Sequence, residues 1–187
     1  EEEDRFLFVP NAGHDEEAYR RWVDHRDEWD LDADVRNETD AWAMVAVQGP
    51  DAVETVDRAM DADVTPLSWG DMIETDVAGV RSYVSRTGYT GEDGFEILCP
   101  TDDIEPIWSA FAENCTPCGL GSRDTLRTEM GFLLSGQDFD PDTEPRNPYE
   151  AGIGWTVALD TEFVGRDSLA TVAEEGVEET FVGLILQ

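Results

Sequence analysis

A chain of 187 residues of which 40% are hydrophobic can bury a sizeable core, as one large domain or two small ones. Its 44 acidic residues stand against 12 basic ones, all arginine, for a formal net charge of -32. That balance argues against DNA or RNA as a general partner, because phosphate binding rests on basic patches.

No apolar run approaches the roughly 18 residues of a membrane span, and the N-terminal EEEDRF is unlike the basic start of a signal peptide. The expectation is a cytoplasmic protein with no membrane segment. Charge of this size usually accompanies disorder, but six Trp, eight Phe and regular apolar periodicity indicate a core. An acidic surface suits concentrated salt, where the Debye length is about 3 Å at 1 M and like charges are screened. The composition therefore predicts a salt-requiring protein of a halophile.

Cys99, Cys115 and Cys118 are too few for a disulfide scaffold. Cys115 and Cys118 formally match C-x-x-C, but a structural zinc needs four ligands. No second such pair exists, and His14 and His25 lie far away in sequence, so no metal is expected.

In chain order, RFLFV at 5–9 reads as a short apolar strand stopped by Pro10. Asn11 is then a turn residue or a ligand contact, the turn being favoured. Asp15 is placed to cap a helix with Ala18, Trp22, Val23 and Arg26 on one side, Trp22 being assigned to the core. AWAMVAV at 41–47 reads as a buried strand ending at Gln48 and Gly49. A helix carrying Ala52, Val53, Val56 and Met60 follows. Segments 72–77 and 80–85, joined by Ala78 and Gly79, form a hairpin.

The hairpin leads into SRTGYTGEDGFEILCP at 85–100. Gly88, Gly91 and Gly94 recur every third residue, which suits a tight loop needing φ > 0 or close approach of a ligand. Beyond them Phe95, Ile97 and Cys99 alternate with Glu96 and Leu98, so Glu96 points away from the apolar face. A loop presenting Tyr89 and a strand presenting Glu96 could recognise a flat, donor-rich ligand.

A third helix carries Ile104, Ile107, Trp108 and Phe111. Ser122 is placed to cap a fourth, with Arg123 in its first turn and Arg127 one turn on. Arg123 is either part of an anion site at that helix start or a partner for one of the surplus carboxylates. DFDPDTEPRNPY at 138–149 is a loop. Its alternating Asp138, Asp140 and Asp142 resemble a calcium loop, but Thr143 and Tyr149 replace the required Gly and Glu, so calcium is rejected. A strand is expected at 155–159 and a short helix within 161–169, then an acidic linker at 173–179 and a terminal strand at 181–187. With no initiating Met, the chain is expected to be a piece of a longer protein. The whole predicts an α+β fold with antiparallel or mixed sheets and flanking helices.

No G-x-S-x-G elbow is present, neither histidine neighbours a candidate nucleophile, and a P-loop is impossible without lysine. The loop at 86–93 is also a poor phosphate cradle, since Glu92 and Asp93 would repel the anion.

RTGYTGEDGFE at 86–96 resembles the signature of the glycine cleavage system T-protein family, the tetrahydrofolate-dependent aminomethyltransferases. The resemblance extends through FVPNA at 8–12, GLGSRDTLR at 119–127, GQD at 136–138, YEAGIGW at 149–155 and FVGRD at 163–167. It implies a folate-binding region over residues 1–170, with residues 171–187 forming a linker and the first strand of a C-terminal β-barrel. Glu96 would accept two hydrogen bonds from the pterin, Tyr89 would pack beside the folate, and Asn11, Arg123 and Trp155 would complete the site. The implied reaction passes an aminomethyl group from lipoylated H-protein to tetrahydrofolate and releases ammonia.

By the same resemblance, the family's aspartate near the reacting nitrogen would belong to a segment preceding the 5–9 strand, and the chain is expected to start too late to include it. No catalytic residue is therefore assigned here, and the 187 residues alone are expected to be inactive. Two alternatives stay open: a demethylase or amine-oxidase-associated paralogue with another carbon donor, and a non-catalytic folate-binding module.

Overall fold

Residues 4–184 are described by a computed structural model, in which the chain divides into two units, Glu1–Cys118 and Gly119–Gln187. The first is organised on a four-stranded antiparallel sheet made of β1 (Trp42–Gln48), β2 (Met72–Val77), β3 (Val80–Ser85) and β4 (Gly94–Pro100), in the order β1-β4-β3-β2. This is the α+β antiparallel arrangement that the alternating patterns predict. The β2–β3 turn has the expected residues, with Ala78 at φ 50° and Gly79 at φ 81°. Two left-handed residues twist a two-residue turn to match its strands.

Alternation then decides which face is buried. Val45, Val47, Val77, Val84, Phe95, Ile97 and Cys99 pack with Ala52 and Val56 of α2 (Ala52–Asp57), Val64, and Ile107 and Phe111 of α3 (Ile104–Ala112). On the opposite face the register sets Ala46, Glu96 and Ser85 abreast, with Met44, Leu98 and Tyr83 in the neighbouring row. None of these six is buried.

Helix α1 (Asp15–Glu28) precedes the sheet and differs from expectation in two ways. His14 is its N-cap, while Asp15 lies in the first turn and accepts a bond from Asn37 Nδ2 at 3.1 Å. Its carboxylate still favours the helix dipole from there. Ala18, Val23 and Arg26 are only half-buried, and Trp22 is exposed, its ring 5.0 Å from that of Phe8.

Segment 5–9 is not a strand. Phe6, Leu7, Phe8 and Val9 are exposed, and no ladder engages them among the described residues. Apolar composition makes a strand possible, but hydrogen bonds to a partner make it one.

In the second unit α4 (Leu120–Met130) begins at an N-cap of Gly119, not Ser122. Gly119 O already accepts from Ser122 N at 3.1 Å and Arg123 N at 3.4 Å, so Arg123 stands at the fourth helical position. Gly131, at φ 80°, closes the helix in the left-handed conformation.

The strand expected at 155–159 is instead a 3-10 turn, Gly154–Thr156. Ile153 N donates to Pro148 O at 2.9 Å and Val157 N to Gly154 O at 3.1 Å. Backbone groups satisfied locally are not available to a ladder. Helix α5 runs Arg166–Glu175, so the acidic linker starts at Gly176. No ladder forms over 181–184, where Phe181 N bonds to Glu150 O at 3.0 Å. The remainder of the expected terminal strand, 185–187, lies outside the described residues.

Candidate functional site

The loop between β3 and β4 is closed at its base by a bidentate ion pair. Arg86 Nε donates to Asp93 Oδ1 at 3.0 Å and Nη2 to Oδ2 at 2.5 Å. The third guanidinium arm reaches Leu67 O at 2.6 Å, and the group lies 5.7 Å from the Phe95 ring centroid. The hydrogen bonds to Asp93 raise the Arg86 pKa, and those from Arg86 hold the Asp93 carboxyl below its ordinary value. Asp93 O also accepts from Gly49 N at 2.8 Å, tying the loop to the end of β1.

Glu96 stands two residues into β4 on the less buried face, flanked across the strands by the small residues Ala46 and Ser85. Its Oε2 accepts a 2.6 Å bond from Thr87 Oγ1. Thr87 is two residues before the half-buried Tyr89, so one loop both fixes the carboxylate and carries the aromatic.

Gln48 completes the arrangement. Its Nε2 lies 3.1 Å from Thr87 O, 3.3 Å from Phe95 O and 3.3 Å from Val47 O, and its Oε1 accepts from Thr90 Oγ1 at 3.1 Å. The reason expected for the glycines holds at Gly91 and is supplied by this side chain at the other two. Gly91 has φ 78° and needs the left-handed region. At Gly88 a Cβ would stand 2.6 Å from Gln48 Cδ, and at Gly94 it would stand 2.5 Å from the same atom. At these two positions the close approach comes from Gln48. Its sequence signal was faint: an amide at the end of a buried strand, in phase with the open face.

Elsewhere in this unit, Asn11 is exposed and its carbonyl accepts from His14 N at 3.0 Å, so the turn reading describes its backbone. Cys115 is half-buried and Cys118 exposed, both as free thiols.

The arginine that organises the second unit is Arg127. It is 3% exposed, while Arg123 is exposed. Arg127 Nε donates to Asp124 Oδ1 at 2.8 Å, and Nη1 donates to Phe132 O at 3.1 Å and to Asp138 Oδ2. Asp138 Oδ2 also accepts from Leu134 N at 2.8 Å, so one ion cluster folds the 132–138 segment onto α4. Burial works against the Arg127 charge, but the bonds it donates to Asp124 and Asp138 outweigh it and the pKa is raised. Asp124 is lowered by its bond to Arg127.

Asp140 accepts from Asp142 N at 2.9 Å and Thr143 N at 2.7 Å, serving as a turn residue. Trp155 projects from its 3-10 turn at 78% exposure. Asn147 Oδ1 supports the preceding turn by accepting from Tyr149 N and Glu150 N at 3.0 Å each. The five expected site residues thus divide between the units, with Asn11, Tyr89 and Glu96 in the first and Arg123 and Trp155 in the second. Within the first, hydrogen bonding links Glu96 to the loop that carries Tyr89.

Residues 1–161 match the family model described as the GCVT N-terminal domain. The chain belongs to this family. The chain is 60% identical over 183 residues to a protein of Haloarcula marismortui named "Probable aminomethyltransferase", covering 98% of this chain and 50% of that relative. A protein of Natronomonas pharaonis with the same name is 58% identical over 182 residues, at 97% and 50% coverage. The chain therefore spans about half the length of the curated relatives it matches. Among solved structures, the glycine cleavage system aminomethyltransferase T from Bartonella henselae matches with a TM-score of 0.72 and 26% identity, covering 89% of this chain and 45% of that one.

Proposed function

We propose that this chain supplies the folate-reading region of an aminomethyltransferase of the glycine cleavage system. In the whole protein, an aminomethyl group on the dihydrolipoyl sulfur of H-protein passes to tetrahydrofolate. The carbon ends bonded to two folate nitrogens as 5,10-methylenetetrahydrofolate. The two displaced N–H protons go to the sulfur and to the departing ammonia. Most of the rate would come from positioning and from electrostatic stabilisation of the iminium-like carbon.

The observation that carries the reading is the setting of Glu96, on an open sheet face between Ala46 and Ser85, with one carboxylate oxygen held by Thr87. Small neighbours leave room for a flat ring, and a carboxylate edge suits two adjacent N–H donors of a pterin. Tyr89 would pack beside the ring. Asn11, Arg123 and Trp155 remain candidate contacts to the rest of the folate. Residues 1–170 would form the folate-binding region, and 171–187 would carry the end of α5, the linker and the first strand of a C-terminal barrel. An acidic surface supports our reading of a reaction run in concentrated salt, which we assign to the cytoplasm.

Calorimetry of the full-length protein with tetrahydrofolate in molar KCl tests this. Two hydrogen bonds to a charged group, at about 1.5 kcal/mol each, amount to about a hundredfold in affinity. Glu96→Ala should lose that much, and unchanged affinity removes Glu96 and the reading with it. Ammonia release from aminomethylated H-protein then identifies the donor.

A further inference from the structure

We propose that Gln48 is a positioning residue: its side-chain amide sets the conformation of the 86–93 loop and, through Thr87, the direction of the Glu96 carboxylate. The inference rests on the folate reading only for its consequence in binding. Its structural basis is independent of any ligand.

Three carbonyl oxygens, of Val47, Thr87 and Phe95, surround one end of the amide. Carbonyls only accept, so that end is the NH2 group, whose two hydrogens are shared among the three. The other end accepts from Thr90. The amide therefore joins β1, β4 and both sides of the loop's first turn. From Thr87 the linkage continues in one step, since its carbonyl is held by Gln48 at 3.1 Å while its hydroxyl holds Glu96 at 2.6 Å.

Gly88 and Gly94 show that the space is reserved. Neither has the positive φ that would itself demand glycine. A Cβ on Gly88 would stand 2.7 Å from the Gln48 Nε2, and one on Gly94 would meet Gln48 Cδ at 2.5 Å and Val47 O at 2.7 Å. Gly88 in the loop and Gly94 at the start of β4 thus serve to admit a side chain from another strand.

The test uses the full-length protein in molar KCl, with hydrogen exchange of the 86–93 amides and calorimetric binding of tetrahydrofolate. Gln48→Ala should speed loop exchange by about tenfold, as expected for losing one such bonded group, and leave the β2–β3 hairpin unchanged. Tetrahydrofolate affinity should fall by about tenfold as well. Gln48→Glu keeps the size but turns an oxygen toward the three carbonyls, and should behave alike. Gly88→Ala should also speed loop exchange, but add little in the Gln48→Ala background, because the two changes remove one contact. Since Gly88→Ala reaches that contact from the opposite side, it decides the question even where a residue 48 variant does not fold.

Unchanged loop exchange in these variants overturns the proposal. So does a Gly88→Ala effect undiminished in the Gln48→Ala background, or faster loop exchange with full tetrahydrofolate affinity while Glu96→Ala has lost it. If Glu96→Ala itself binds as wild type, the folate reading fails instead, and the exchange measurements alone decide the role of Gln48.

Discussion

In the Glu1–Cys118 unit an apolar core runs from Val45 to Phe111 between a sheet and two helices, whereas in the Gly119–Gln187 unit the only buried residue among those described is Arg127. Leu120, Trp155, Val164 and Val182 of the second unit are exposed. Burial of apolar surface drives folding of the first. In the second, a guanidinium shared by two carboxylates and a carbonyl supplies the order. The two units should therefore respond differently to the same kinds of change.

The largest expected effect is common to both. Moving the protein from about 1 M KCl to about 0.01 M lengthens the Debye range from about 3 to about 30 Å. At a net charge of -32 this exposes unscreened repulsion, and should lower the melting temperature more than any single substitution. Equal melting in both buffers would remove the halophilic reading.

Next, Ile97→Ala in the apolar core should cost about 3 kcal/mol in urea denaturation and speed exchange in β1 and β4. Arg127→Leu should cost about 2 kcal/mol, felt in α4 and the 132–138 segment, because Asp138 is left without its charge partner. A neutral or stabilising Arg127→Leu would show the second unit to be packed like the first, and the comparison would fail.

A smaller effect comes from acid. The Asp93 pKa is depressed by Arg86 below the ordinary 3.8, so its stabilisation is complete above that value and lost as pH falls below it. Protection of the loop amides, taken as exchange relative to the intrinsic rate at each pH and followed from about pH 5 downward at constant salt, should fall in wild type and stay flat in Asp93→Asn. The least perturbing probe is thiol labelling. Burial raises the Cys99 pKa, so Cys118 should react first, Cys115 more slowly, and Cys99 only on unfolding.

Much of the first unit was legible because its signals are local. The hairpin at 72–85 follows from alternation and from Ala78 and Gly79, and the parity of 95–99 places Glu96 on the open face. The misreadings arose where a partner decides. RFLFV at 5–9 has strand composition without a ladder, and 155–159 spends its backbone bonds in turns. Asp15 and Ser122 are good capping residues by type, but Asn37 engages one and Gly119 starts the helix of the other. Arg127 outranked Arg123 in burial because Asp138, eleven positions on, returns to it. For the loop, the need for glycine was readable. The occupant of the space it leaves was not, because Gln48 lies 39 positions before Thr87.

That separation has a consequence for anyone borrowing this recognition element. The contiguous peptide 85–100 is only three walls of the enclosure, the fourth being an amide delivered from β1. Grafted alone onto another sheet, its glycines would become hinges. Transplanted together with a glutamine on the adjoining strand, directly opposite Gly94 as Gln48 is here, the same sequence should keep its shape.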